Sequence, residues 1–230
     1  AKSHQQEIGK KPVMSLVLSE DQQLLRDSAR HFCQDNAPIS VVRRLRDEKS
    51  ELGYDEAIWR QMIELGWPGM AIAEKYGGFE FGYTGLGLVL EETGRTLASS
   101  PLISSVLLGA SLLSEAGNEE QKSKLLPQIV AGDLRLAVGV DEGPHHAPSR
   151  VACSAVKEGT EYILTGTKSF ILDGQTADKL LVSARTSGEP SSEGGISLFM
   201  LDANAQGLQI QRATMVDSRN AANLVMAQVR

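Results

Sequence analysis

The spacing of apolar residues changes near Gly132, and this change most constrains the fold. Before it, apolar residues recur every three or four positions, as in Leu25, Ala29 and Phe32. That spacing places them on one face of an α-helix. After it, Leu134 and Val138 belong to an alternating series that is typical of strands. The sequence therefore predicts an α+β protein with a helical domain at residues 15–133 and a β domain at 134–230.

Helix starts and stops can be located by their capping residues. Ser19 and Gln22 fit a capping box, in which each side chain binds a backbone N–H at the helix start. Pro38 is predicted to mark the exit of this first helix. A second helix is predicted to start at Asp55 and to stop at Gly66, where glycine accepts a left-handed conformation.

Further helices are predicted over residues 83–97 and 101–116. Asn118 and Gln121 form another capping signature, and Gly132 closes the helix that follows. Pro127 within that helix predicts a kink or an irregular last turn, because proline lacks an N–H. In total, five or six helices are predicted before the domain boundary near Gly132. Glu91 and Glu92 are predicted to cap or to lie solvated on their helix.

The second domain shows short alternating segments at regular spacing. The turn Lys157–Thr160 separates two of them, and the Ser/Gly-rich stretch 186–195 separates two others. This pattern favours a compact antiparallel β-barrel or sandwich. The predicted strands lie within residues 134–138, 151–156, 162–164, 168–172, 180–184, 196–201, 208–212 and 223–229.

Composition excludes several classes of protein. The 230 residues carry a net charge of −6, which gives no reason to expect nucleic-acid binding. The cluster around Arg43 is neutralised by the acidic residues that follow it. No apolar run reaches about 18 residues, so no membrane span is expected. Residues 1–13 lack the apolar core of a secretory signal, and a cytoplasmic location is therefore expected.

Metal sites are not predicted. Cys33 and Cys153 lie far apart in the sequence and neither belongs to a C-x-x-C pair, so each is interpreted as a small buried residue. The adjacent pair His145–His146 invites a metal reading. Without nearby carboxylates or thiols, however, such a pair is more typical of an exposed loop.

Several short sequence motifs occur in an order that resembles the acyl-CoA dehydrogenase family from about Leu16 to the last residue. The segments within 172–180 and 197–203 further resemble the branch that includes the small subunits of pimeloyl-CoA dehydrogenases. The motifs that carry the family resemblance are Leu18-Ser19-Glu20-Asp21-Gln22, Glu64-Leu65-Gly66-Trp67, Glu74-Lys75-Tyr76-Gly77-Gly78, Glu91-Glu92, Asn118-Glu119-Glu120-Gln121-Lys122, Leu126-Pro127, Gly132-Asp133, Leu164-Thr165-Gly166-Thr167-Lys168 and Gln228-Val229-Arg230.

The resemblance implies FAD-dependent α,β-dehydrogenation of an acyl-CoA thioester. In relatives, the base that removes the α-proton is a glutamate of a C-terminal helical bundle. The present sequence ends in Val229-Arg230, which resembles the last strand of the middle domain, so that bundle is expected to be absent from this chain. No catalytic residue is therefore assigned, and Glu91, Glu92 and Glu142 are not nominated as the base.

The resemblance also implies a flavin face on two strands. The first is Val138-Gly139-Val140-Asp141-Glu142, where Asp141 replaces a usual hydroxyl residue. An ionised Asp141 beside the flavin would oppose its anionic reduced form, because like charges repel in a shielded site. In the alternative interpretation, Asp141 turns away and caps the loop that follows.

The second strand of the implied face is Phe170-Ile171-Leu172-Asp173-Gly174. Phe170 can pack an aromatic face against the flavin ring system. Leu172 lacks a side-chain hydroxyl, although its backbone N–H can still donate. The alternative is that Phe170 and Leu172 belong to the barrel core. In the loop after Glu142, Ser149 and Arg150 are candidates for binding the substrate, Arg150 through a CoA phosphate.

Two functions remain open at this point. The first is an FAD-dependent acyl-CoA dehydrogenase subunit whose site is completed by a C-terminal bundle outside this sequence. The second is a non-catalytic partner subunit of a heteromeric acyl-CoA dehydrogenase. For the first, the resemblance implies a homo- or hetero-oligomer formed through the bundle, and an electron-transferring flavoprotein as the electron acceptor.

Overall fold

The computed structural model describes residues 17–230. Residues 1–13 and the predicted domain start at 15 lie outside these residues. In the described part, a π-helical segment, Leu102–Ala110, separates the fourth helix from the fifth. The α-helices are α1 Glu20–Asn36, α2 Ile39–Asp47, α3 Glu56–Glu64, α4 Gly82–Thr96, α5 Ser111–Ala116 and α6 Glu119–Val130. Single 3-10 turns occur at Trp67–Gly69 and Glu74–Tyr76.

The predicted caps are confirmed. Ser19 and Gln22 form a reciprocal capping box, and Asp55 accepts hydrogen bonds from the N–H groups of Ala57 and Ile58. Gly66 adopts the left-handed conformation with φ 77° after α3. Pro38 ends the first helix as predicted, but it is also the N-cap of α2, which the sequence interpretation missed.

The prediction that Glu92 lies solvated on its helix is wrong, because its side chain is only 1% exposed. It accepts hydrogen bonds from Arg30 Nη2 at 2.9 Å and Arg30 Nε at 3.2 Å. Arg95 Nε lies 3.1 Å from the same carboxylate. The carboxylate therefore joins α1 to α4. Its neighbour Glu91 is exposed and pairs with Arg95 within α4.

We expect the stabilisation from Glu92 to be lost in acid. The hydrogen bond from Arg30 lowers the pKa of Glu92 below its ordinary value of 4.5. A carboxyl with a depressed folded-state pKa stabilises the fold above the unfolded pKa and loses that effect as the pH falls through the folded one. Urea unfolding should show Glu92→Gln less stable than the unmodified chain at pH 7. Below pH 4.5 the gap should shrink, and a constant gap would contradict the assignment.

The β domain is a curled, mixed sheet. Its strands are β1 Leu136–Gly139, β2 Ser154–Glu158, β3 Glu161–Leu172, β4 Lys179–Arg185, β5 Ile196–Asp202, β6 Leu208–Thr214 and β7 Asn220–Val229. The order is β1-β4-β2-β3-β7-β6, and β5 also pairs with β4. The predicted helical domain followed by a β domain is confirmed, as is the hairpin at Lys157–Thr160 between β2 and β3.

The prediction of an antiparallel sheet needs one correction, because β1 pairs with β4 in parallel. Asp178, just before β4, accepts hydrogen bonds from the backbone N–H of Arg135, just before β1, at 2.8 Å. The Arg135 guanidinium donates to the same carboxylate at 2.9 and 3.1 Å. These bonds hold the starts of both strands at one end, so the strands run in the same direction. β2 also meets β4 in parallel, through the single pair Ser154–Arg185.

The two domains share a packed boundary. One core lies among the helices and extends to Leu136 and Leu181 of the sheet, and a second lies inside the curled sheet. Ser105 of the π-helical segment bonds both backbone groups of Leu136, at 2.9 and 3.1 Å. α6 continues through Pro127 to Val130. Among residues 17–230, no helix is both long and apolar enough to cross a membrane.

Both cysteine thiols are expected to be unreactive in the folded protein. Cys33 and Cys153 are buried, and this burial raises the pKa of each thiol to about 11. Because the thiolate is the nucleophile, neither should react at pH 8. Titration with a chromogenic disulfide should detect almost no reactive thiol in buffer, and it should detect both thiols in guanidinium. Rapid labelling in buffer would show that at least one core is open.

Candidate functional site

A bulge in β3 presents Phe170 to the outside of the sheet. The pairing register between β3 and β7 shifts between Lys168 and Ile171. Phe170 lies within that shift with φ 60°, a left-handed conformation that is costly for a residue other than glycine. Its N–H donates to Asn223 Oδ1 at 3.0 Å. Its side chain is 67% exposed, so Phe170 does not belong to the barrel core.

The other residues of the predicted face take different positions. The Ile171 side chain is buried in the sheet core and packs against Gly139, where an added Cβ would lie 2.8 Å from Ile171 Cδ1. Leu172, Val138 and Val140 are partly buried. The Phe170 ring and the partly exposed Val140 and Leu172 are thus available to a ligand, whereas Val138 packs against the helical core and the Ile171 side chain fills the sheet core.

Asp141 caps the loop that follows it. Its Oδ1 accepts a hydrogen bond from the N–H of Ala147 at 2.9 Å, and its Oδ2 lies 2.9 Å from His146 Nδ1. Burial opposes ionisation, but the hydrogen bonds from His146 and Ala147 outweigh it and lower the pKa of Asp141. The Asp141 carbonyl accepts from the N–H of Ser169, directly beside Phe170, at 2.8 Å. Asp141 therefore ties the loop to the bulge.

Lys168 is an internal anchor that the sequence interpretation did not assign. Its side chain is 0% exposed, and its Nζ donates to Glu142 Oε1 at 2.7 Å and to Ser183 Oγ at 2.9 Å. The Glu142 carboxylate also accepts from the N–H groups of Ala152 at 2.7 Å and Cys153 at 3.0 Å. The sequence did contain a signal for this anchor. Alternation along β3 from the apolar Leu164 places Lys168 on the inner face, and a charged residue on an inner face needs a partner.

The loop between β1 and β2, residues 140–153, is held at both ends. Asp141 and Glu142 fix its start, and Glu142 also binds the backbone just after its end. Ser149 and Arg150 are exposed on this loop. The His146 side chain is 73% exposed. Across residues 17–230, no group of three or more His, Cys, Asp or Glu side chains could hold a metal ion.

The helices and the curled sheet define a two-domain α+β protein with an aromatic ring displayed at one rim of the sheet. Comparison with known proteins identifies the family that shares this architecture. The family model described as acyl-CoA dehydrogenase, N-terminal domain, matches residues 19–133, and the model described as acyl-CoA dehydrogenase, middle domain, matches residues 141–229. The chain belongs to the acyl-CoA dehydrogenase family, whose members are oxidoreductases and flavoproteins.

Individual relatives agree with this assignment. Mitochondrial isovaleryl-CoA dehydrogenase of Pongo abelii is 31% identical over 201 residues, which are 85% of this chain and 47% of that protein. The ChsE4–ChsE5 complex of Mycobacterium tuberculosis is similar at TM-score 0.82 and 27% identity, covering 94% of this chain and 56% of the other. A structure described as an electron transferring flavoprotein of Acidaminococcus fermentans is similar at TM-score 0.77 and 29% identity, covering 94% and 57%. The chain spans about half the length of the curated relatives it matches.

Proposed function

We propose that this chain forms the flavin-facing and substrate-facing part of an FAD-dependent acyl-CoA dehydrogenase. The observation that carries the proposal is Phe170, a large ring held outward by a costly backbone conformation. Strained residues of this kind are concentrated at ligand sites. The proposed cofactor-binding residues are Val138, Val140, Asp141, Phe170, Ile171 and Leu172.

The residues present suit a flat ring system. The Phe170 side chain offers an aromatic face, and the partly exposed Val140 and Leu172 offer aliphatic contact. Ile171 contributes by filling the core behind the ring, and Asp141 by fixing the backbone beside it. The Asp141 carboxylate accepts hydrogen bonds from the loop residues His146 and Ala147, which lower its pKa and keep it ionised. The chemistry that FAD supplies when bound is acceptance of a hydride from the substrate β-carbon.

The loop that carries Ser149 and Arg150 is the proposed contact for the thioester arm and for CoA. Its anchors, Asp141 and Glu142, reduce the conformational freedom that substrate binding would otherwise have to remove. The exposed guanidinium of Arg150 can pair with a phosphate. The base that removes the α-proton is not assigned within this sequence, and the resemblance implies a glutamate of a C-terminal bundle.

Partners and assembly are proposed on the same basis. The domains are proposed to span 15–133 and 134–230, with a homo- or hetero-oligomer completed by helices beyond them. Similarity to the ChsE4–ChsE5 complex supports a heteromer, and similarity to a protein described as an electron transferring flavoprotein supports such a protein as the electron acceptor. The pimeloyl-CoA branch and a cytoplasmic location stay predictions.

The proposal is tested on the full-length protein purified with its cognate subunit. Flavin absorbance should accompany the protein, and adding an acyl-CoA under anaerobic conditions should bleach it. The absence of both flavin absorbance and bleaching would refute the proposed activity.

A non-catalytic partner subunit is the second candidate. Two residues favour it: Asp141 caps a loop where relatives place a hydroxyl residue, and Leu172 carries no hydroxyl. In this case the chain would support an active paralogue. Native mass spectrometry decides between the candidates, since a homo-oligomer that turns over substrate unaided would eliminate the partner role.

A further inference from the structure

The Arg185 side chain, at the end of β4, is buried where two loops meet. The residue is only 6% exposed. Its guanidinium donates to main-chain carbonyl groups of the loop 140–153, between β1 and β2, and of the loop 186–195, between β4 and β5. These acceptors belong to Ser149, Val151, Ser187, Pro190, Ser192 and Gly194.

The shortest of these hydrogen bonds reach both loops. Nε donates to the Val151 carbonyl at 2.8 Å, and Nη1 donates to the Gly194 carbonyl at 2.7 Å. Nη2 donates to the Pro190 and Ser192 carbonyls, each at 3.1 Å. Arginine suits this position because its donors form a rigid planar fork. Since each nitrogen of the guanidinium already binds the protein, Arg185 cross-links the loops instead of serving as a ligand contact.

Main-chain hydrogen bonds join the same two loops. The N–H of Val151 donates to the Pro190 carbonyl at 3.1 Å. The N–H of Thr186 donates to the Gly195 carbonyl at 2.8 Å and closes the second loop at its base. Arg185 therefore lies where the loops are adjacent, and its guanidinium binds the carbonyl groups that both loops direct toward it.

The cross-link lies directly beside the proposed substrate contacts. The guanidinium binds the carbonyls on both sides of Arg150, that of Val151 at 2.8 Å and, more weakly, that of Ser149 at 3.5 Å. The side chains of Ser149 and Arg150 are exposed, whereas Val151 is buried. The direction in which the Arg150 side chain leaves the surface thus depends on a backbone that Arg185 holds.

We propose that Arg185 is a positioning residue for CoA binding. It fixes the backbone around Arg150, so that the exposed guanidinium of Arg150 meets a CoA phosphate in one orientation. A loop that is fixed before the ligand arrives loses less conformational freedom on binding, and its affinity is higher. This inference rests on the proposed function and deepens it, because it assigns a residue that acts through Arg150 without touching the ligand.

A double-mutant cycle on the full-length protein with its cognate subunit tests this role. The probe is CoA itself, without an acyl group, and calorimetry gives its dissociation constant. Arg185→Lys keeps a cation but offers fewer donors, all on one nitrogen, so the fixed backbone is lost. We expect Arg185→Lys and Arg150→Gln each to weaken CoA binding about tenfold. The double variant should bind within about twofold of Arg150→Gln, because residues that act through one another are not additive.

Arg212→Lys is the matched control. The Arg212 guanidinium also binds a main-chain carbonyl, that of Ser50, at 2.6 Å, but it lies outside both loops. This variant should bind CoA within about twofold of the unmodified protein. Normal CoA binding by Arg185→Lys would overturn the inference. Losses that multiply to about a hundredfold in the double variant would overturn it as well, since a general loss of structure acts independently of Arg150.

A second measurement uses the unmodified protein, so it decides the question even where a variant does not fold. Coupling is reciprocal: if the Arg185 bonds favour CoA binding, bound CoA must favour those bonds. NMR with ¹⁵N-labelled arginine should show hydrogen exchange at Arg185 Nε slowed about tenfold by saturating CoA. An unchanged rate with CoA bound would overturn the inference alone. Absence of CoA binding by the unmodified protein would refute the proposed function, and this inference with it.

Discussion

Replacing Lys168 with methionine is expected to destabilise the folded chain by about 3–5 kcal/mol. The Lys168 side chain is fully buried, and the change leaves the Glu142 carboxylate, 16% exposed, without its cation. Methionine has a similar length, so lost packing contributes little. Urea or guanidinium unfolding, followed by circular dichroism, measures the free energy of unfolding. The loop that Glu142 holds should also become more mobile.

Lys179→Met is the matched control, since Lys179 pairs with Asp202 on the outside of the same sheet. The Asp202 side chain is 60% exposed, so removing this cation leaves no buried charge. The control should unfold at nearly the same denaturant concentration as the unmodified chain. If the two variants lost equal stability, the buried pair of Lys168 with Glu142 would contribute no more than the exposed pair of Lys179 with Asp202, and Lys168 would not anchor the loop.

Phe170→Gly is expected to weaken FAD binding at least tenfold without lowering stability. The ring is 67% exposed, so the fold gains little from it, whereas a stacked flavin would lose its aromatic contact. Glycine adopts φ 60° without the cost that a larger residue incurs, so stability should stay within about 1 kcal/mol or rise. Flavin fluorescence quenching in the full-length protein gives the affinity, and thermal unfolding gives the stability.

Phe170→Trp is the companion variant, because it keeps an aromatic face on the same bulge. It should bind FAD within a few-fold of the unmodified protein. A Phe170→Gly variant that binds FAD normally would remove Phe170 from the cofactor site. A variant that loses several kcal/mol would instead show that the ring supports the fold.

The helical domain was largely predictable because its signals are local. Ser19 and Asp55 each cap a helix through groups within three residues, and the sequence alone displays both. The burial of Glu92 was not predictable, since it depends on Arg30, which lies 62 positions away in the sequence. The parallel pairing of β1 with β4 likewise depends on Arg135 and Asp178, which are 43 positions apart.

At the candidate site, the bulge in β3 interrupts the alternation of buried and exposed residues that the sequence predicts. Strict alternation would place Lys168 and Ile171, three positions apart, on opposite faces of β3. The bulge changes the phase of the strand, so both side chains are buried and Phe170 between them points outward. The motif resemblance pointed to this segment as the flavin face, but the exposure of the Phe170 ring and the burial of Ile171 beside it follow from the bulge, which the sequence does not display.

The proposed function depends on a flavin ring lying against the bulge of β3 and the end of β1. Amide NMR of the full-length protein, titrated with FAD, tests this most directly. We expect the largest shifts at Val140, Phe170 and Leu172, with smaller shifts on the far side of the sheet. Saturable FAD binding whose shifts avoid those three residues, or no binding at all, would contradict it.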